Sequence, residues 1–202
     1  MKLLAFDLST RRGTIALADN EEVLCAHDWP NDRRTSAPFF AALNGIIRGY
    51  GAPEHIVIGL GPGSYTGTRI AISAGIGLQA TGGAALSGMP SVCAISEEHK
   101  YCVIGDAKRA SFFFATICGG LLTSDPELLL ESELNERMSS ITTIPTYTSD
   151  NLPGFHRAKL GFPSAKLLCQ LATTLPQKLT RAPLSPIYLR EPHITTPRTK
   201  LN

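Results

Sequence analysis

The stretch "GLGPGSYTGTRIAISAGIG", residues 59–77, constrains this chain more than any other. It follows the apolar run "HIVI" and leads into small and branched apolar residues, which reads as strand, glycine-rich turn, helix. That order is the common frame of a phosphate cradle, and three templates test it. A P-loop needs four residues between its glycines and then Lys-Ser/Thr, but five separate Gly61 from Gly67, and Thr68-Arg69 follows. A dinucleotide fingerprint would put its third glycine at Thr66. A nucleophile elbow would need glycines two residues either side of Ser64, where Pro62 and Thr66 stand. Ser64, Thr66 and Gly67 stay candidates for anion binding at a helix N-terminus or for capping that helix, and capping is the favoured reading.

The helix behind the turn is more informative. Gly75 and Gly77 in its interior should together cost roughly 2 kcal/mol against alanine, which close packing would offset. Arg69, Ser73, Gly77 and Ala80 fall along one side at helical spacing and form the candidate partner-binding stripe. Ile72 and Ile76, flanked by Ile70 and Leu78, are assigned to the sheet side. Spacing alone leaves open whether the stripe meets a helix of this chain or another protein.

Around this core, residues 2–8, "TIALA" and "EVLCAHDW" read as an antiparallel meander of three strands. "TSAPFFAALNGIIRGY" reads as a helix with Thr35 or Ser36 as cap, Pro38 in its first turn, and Phe39, Leu43, Ile46, Ile47 and Tyr50 on its buried face. Three strands, helix, strand, helix is the order of a ribonuclease-H-like unit. Two strands joined near "DAKRA", the short "ITTIPTY" and the helix "SAKLLCQLAT" partly repeat it, whereas "SDPELLLESELNERMSS" reads equally as helix, strand or connection. The expected fold is therefore α/β and actin-like, with ribonuclease-H-like subdomains over 1–95 and 96–202, the second reduced.

A net charge of +2 without a dense basic block gives no footprint for independent nucleic-acid binding. The opening residues do not read as a signal peptide, and no apolar run reaches the roughly 18 residues of a membrane span, so a cytoplasmic protein is expected. Five scattered cysteines read as buried free thiols, and five dispersed histidines, including His193, show no metal-binding spacing. No cysteine or serine acquires a histidine partner from sequence. Asp7 and Asp106 end the first strand of each half, so they and Lys108 could serve a phosphotransferase; but the second half offers only Gly119-Gly120 as a glycine loop, and capped turns are favoured.

Three segments, "LLAFDLSTRRGTIAL", "GLGPGSYTGTRIAISAGIGLQA" and "SPIYLREP", with "IGDAKRASFFFA", resemble the TsaB (YeaZ) family. The central signature is Gly61, Pro62, Gly63, Ser64, Tyr65, Thr66, Gly67, Arg69 and Ile70. Arg34-Thr35 and Lys108 depart from the usual His-Ser/Thr and Arg of that family. The resemblance implies a non-catalytic subunit, with no cofactor of its own, that supports TsaD in threonylcarbamoyl transfer to N6 of adenosine 37 of tRNAs reading codons that begin with A. It further implies direct contact with TsaD, TsaE in the complex, ATP and metal used by those partner subunits, tRNA engaged indirectly, and a homodimer as the other use of the first-half helices. The alternative reading is a nucleotide-dependent phosphotransferase or ATPase of the actin-like superfold.

Overall fold

The computed structural model describes residues 1–31 and 36–190; Arg34, Thr35 and His193 lie outside the described residues. The central strands of the first unit, unlike its half-exposed edge strand, send apolar side chains to two buried faces, and this alternation dictates the layering. Strands β1 (Lys2–Asp7), β2 (Arg12–Asp19) and β3 (Glu22–Pro30) form the antiparallel meander, and α1 (Ala37–Tyr50) then leads to β4 (His55–Gly59), parallel to β1. Next, α2 (Tyr65–Gly82) crosses over to β5 (Ala85–Met89), a strand the sequence reading passed over. On one face Leu4, Phe6, Ile15, Leu17, Ile56 and Ile58 pack under α1 and α2. On the other, Leu3, Ala5, Ala16, Ala18 and Val57 face the second half of the chain.

A second sheet repeats the plan with fewer parts. Strands β6 (Lys100–Asp106), β7 (Ser111–Cys118), the two-residue β8 (Leu121–Leu122) and β9 (Glu127–Leu130) are antiparallel neighbours. Helix α3 (Glu131–Ser140) then returns the chain to β10 (Thr146–Thr148), parallel to β6, with β11 (Lys159–Leu160) beyond it. Both sheets therefore place their first strand centrally, with the meander on one side and parallel strands on the other. The helix that would match α2 is missing between β10 and β11, which is the sense in which the second unit is reduced. The ambiguous "SDPELLLESELNERMSS" resolves into β9 followed directly by α3.

Helix α4 (Ala165–Thr174) lies between the sheets: Ala165, Leu168, Cys169 and Ala172 share one core with Leu3 and Ala16 of the first sheet and with Tyr101 and Val103 of the second. Its first amide donates to Thr14 Oγ1 at 3.1 Å, which ties the helix start to β2. Strand β12 (Thr180–Arg181) then pairs with β5, so the chain finishes its described course on the first sheet.

Two side-chain assignments need correction. Tyr50, the last residue of α1, is 40% exposed, and the buried residues of this helix are Phe39, Leu43 and Ile46. Ile76 is 50% exposed and belongs to the outer face of α2, not the sheet side. The cysteine reading holds for Cys93, Cys102 and Cys169, which are buried, whereas Cys25 and Cys118 are half-buried; all five are free thiols.

Candidate functional site

The glycine-rich turn packs against the backbone of the turn after β1. Ser64 is the N-cap of α2, its hydroxyl accepting the Gly67 amide at 3.2 Å, and its own amide donates to the Ser9 carbonyl at 2.5 Å. A side chain at Gly67 would collide with the Leu8 carbonyl oxygen, and one at Gly63 with that of Ser9. The glycines thus let the turn after β1 lie directly against the start of α2. Thr66 is exposed beside them. The segment 185–190 closes over the same turn: the Ile187 amide donates to the Leu60 carbonyl at 2.8 Å, and the Tyr188 ring lies 5.5 Å from Tyr65.

Past the turn, the two interior glycines of α2 have different reasons. Gly75 is buried against Ile58 and Leu86, so it serves the packing of the helix on its own sheet. A side chain at Gly77 would meet nothing within 4 Å. Arg69, Ser73, Gly77 and Ala80 are all exposed, and Ile76 stands among them. The Arg69 guanidinium lies 5.0 Å over the Tyr65 ring and bonds the Tyr65 hydroxyl, which fixes its position at one end of the stripe. Phe40 of α1, 47% exposed, shares a shallow groove with Tyr65, Arg69, Ile70 and Ser73. Gly45 of α1 likewise faces open space. This face combines exposed aromatic and aliphatic side chains with missing bulk, the composition of a helix-packing surface.

A second concavity, a cleft of about 350 Å³, runs between the units and is lined by Ser9, Arg11, Ser64, Asp106, Lys108 and Asp150, among others. Asp106 accepts the Lys108 amide at 2.7 Å and its ammonium at 2.5 Å, and these hydrogen bonds hold its carboxyl below the usual carboxylate range. They also brace a turn in which Lys108, Arg109 and Ala110 all have left-handed backbone angles, with φ of 65°, 55° and 54°. Asp7 does not line the cleft. It is fully buried, its Oδ1 accepting the Ser9 amide at 2.7 Å and the Ser9 hydroxyl at 2.6 Å. Burial pushes the Asp7 carboxyl above its ordinary value, against the opposing pull of the Ser9 and Ser91 hydroxyls. Its Oδ2 has no hydrogen-bond partner, although Ser91, which accepts the Gly61 amide at 2.8 Å, stands beside it. Both aspartates therefore close turns at the ends of corresponding strands. Gly119 and Gly120, with φ of 57° and 75°, make the tight turn between β7 and β8.

Two histidine contacts emerge that spacing could not reveal, because each joins residues distant in sequence. His55 Nε2 lies 2.7 Å from Ser87 Oγ across the parallel β4–β5 pair, with Ser87 only 4% exposed and burial lowering the histidine's proton affinity. His99 Nε2 lies 3.6 Å from Cys118 Sγ at the end of β7. Among the described residues, no group of three or more His, Cys, Asp or Glu side chains could hold a metal ion, and no helix is long and apolar enough to cross a membrane.

No family model matches the chain, and no curated protein matches it. Solved structures do. One is described as an uncharacterized protein with similarity to peptidase YeaZ from Pseudomonas aeruginosa; it is 20% identical, with a TM-score of 0.74 over 94% of this chain and 99% of that one. YeaZ from Pseudomonas aeruginosa itself is 18% identical, with a TM-score of 0.73 over 93% of this chain and 99% of that one. Over nearly its whole length, and with both sheets built on one plan, this chain has the YeaZ fold.

Proposed function

We propose that this chain is a non-catalytic subunit that supports a TsaD enzyme in threonylcarbamoyl transfer to N6 of adenosine 37 in tRNAs reading codons that begin with A. The observation that carries the reading is the open face of α2, where a helix-interior glycine, Gly77, meets no atom of its own chain while Ile76 beside it is half exposed. Such a glycine costs about 1 kcal/mol against alanine and gains nothing within the monomer. Close approach of a helix from outside the monomer would recover that cost, and Phe40 and Tyr65 supply apolar area around it. TsaD is the partner assigned to this face, with a second copy of the chain as its other use; TsaE joins the complex, and tRNA is engaged through the assembly. ATP and metal belong to the partner subunits, and the compartment is the cytoplasm.

The test is a pull-down with TsaD and TsaE from the same organism, joined to nucleoside mass spectrometry of a deletion strain. Copurification and loss of threonylcarbamoyl-adenosine support the proposal. A full complement of the modified nucleoside in the deletion strain sinks it.

A second reading, nucleotide-dependent phosphotransfer, draws on the placement of Asp106, Lys108 and Arg11 on the walls of the cleft. Calorimetry with ATP and magnesium discriminates: tight binding lost in Asp106→Ala would favour this reading, and absence of heat would remove it.

A further inference from the structure

Charges of both signs line the cleft between the units without meeting. The ion pairs among the described residues join Met1 to Asp19, Arg12 to Asp28, Lys108 to Asp106 and Arg137 to Glu127. Arg11 and Asp150, both on the cleft wall, have no counter-ion among them, and neither has Arg190 at the end of the segment that closes over the glycine-rich turn. The Arg11 guanidinium lies 5.5 Å over the Phe162 ring. Asp150 Oδ2 accepts the Asp106 amide at 2.9 Å, and the Asp150 amide donates to Thr148 Oγ1 at 3.1 Å. These bonds hold the carboxylate just past the end of β10.

A third group on the cleft wall has its bonding unfinished. Thr68, in the first turn of α2, is 2% exposed, and its hydroxyl makes no hydrogen bond among the described residues. The other buried hydroxyls of that wall are engaged: Ser9 donates to Asp7 Oδ1 at 2.6 Å, and Ser91 accepts the Gly61 amide at 2.8 Å. A buried hydroxyl left unpaired is costly, and a polar ligand atom would satisfy it. Beside it stand the first amides of α2, those of Tyr65 and Thr66, which have no intrahelical acceptor and favour negative charge. Val92, Val103 and Phe113 are buried and give the cleft an apolar floor. An apolar floor of this kind with a few convergent polar groups is the make-up of a small-molecule site.

We propose that this cleft binds a free α-amino acid with an apolar side chain. Its carboxylate meets Arg11, the Thr68 hydroxyl and the start of α2, its ammonium meets Asp150, and its side chain lies over Val103 and Phe113. The unpaired charges select the class. A carboxylate without a cation beside it repels a phosphate or a second carboxylate and pairs with an ammonium, whereas Asp106 is already matched by Lys108. The nucleotide of the second reading carries no ammonium for Asp150. A zwitterion supplies both missing counter-charges at once.

The experiment is isothermal titration calorimetry of the full chain with L-leucine and L-phenylalanine, joined to thermal melts at high ligand. Both read the chain alone, so the outcome does not depend on TsaD. The expected result is saturable binding and a raised Tm. Isocaproate, which lacks the ammonium of leucine, and isoamylamine, which lacks its carboxylate, should each bind about tenfold more weakly or worse. Asp150→Asn should weaken leucine by about tenfold and leave isocaproate unchanged, whereas Arg11→Gln should weaken both and leave isoamylamine unchanged. Thr68→Val should weaken leucine roughly threefold to tenfold. Circular dichroism confirms that each variant is folded, and the analogues test the unaltered chain. The proposal is overturned if neither amino acid gives heat or a shift in Tm, if isocaproate binds as tightly as leucine, or if Asp150→Asn and Arg11→Gln both keep the original affinity.

Discussion

Asp7 shows how one residue can be prominent in sequence for a reason other than chemistry. It ends β1 where a metal-binding carboxylate would be useful, yet it is sealed inside, and its Oδ2 lacks a partner. Its carboxyl is pushed up by burial, so the folded state holds the proton more tightly than the unfolded state does. The stability this contributes is complete below the ordinary carboxylate range and is lost as pH rises through the folded-state value. Asp7→Asn keeps an acceptor for Ser9 and places a donor beside Ser91. We therefore expect Asp7→Asn to stabilise the protein at pH 8 by about 1–3 kcal/mol, with the advantage shrinking toward pH 4. Thermal melts across that range check it, and a uniform loss of stability at every pH would contradict it.

At the scale of the element, α2 carries two kinds of glycine that a sequence cannot tell apart. Gly67 admits a carbonyl from the turn after β1, while Gly77 faces open space. Gly67→Ala should destabilise the monomer by about 1–3 kcal/mol through overpacking against backbone that cannot yield. Gly77→Ala should instead stabilise it by about 1 kcal/mol, because only helix propensity changes. Urea denaturation of the two variants gives opposite signs on this account; a loss at Gly77 would mean that the helix packs there on something within the chain. The small stripe was legible because residues at helical spacing share a face. Helical spacing groups Ile76 and Tyr50 with buried neighbours but does not fix where the buried face ends, and both are exposed.

For the whole molecule, the first unit apart from β5 is legible because its strands are apolar, its first helix is amphipathic and its turns carry glycine and proline. The second was less so: β8, β10 and β11 are two or three residues long, too short for periodicity to register. The placement of α4 between the sheets and the histidine pairs depend on contacts between residues far apart in sequence, which no local pattern encodes. What the layering leaves outside is the α1–α2 face, and Gly77→Leu should block association there by bulk while the far-ultraviolet circular dichroism of the monomer stays unchanged. Size-exclusion chromatography checks this, and an unaltered assembly would put the interface elsewhere.

The measurement that bears most directly on the central claim is reconstituted threonylcarbamoyl transfer to tRNA by TsaD and TsaE, with this chain, without it, and with Gly77→Leu in its place. The account predicts modified tRNA with the unaltered chain and little without it or with Gly77→Leu. Full-rate modification without the chain would contradict it.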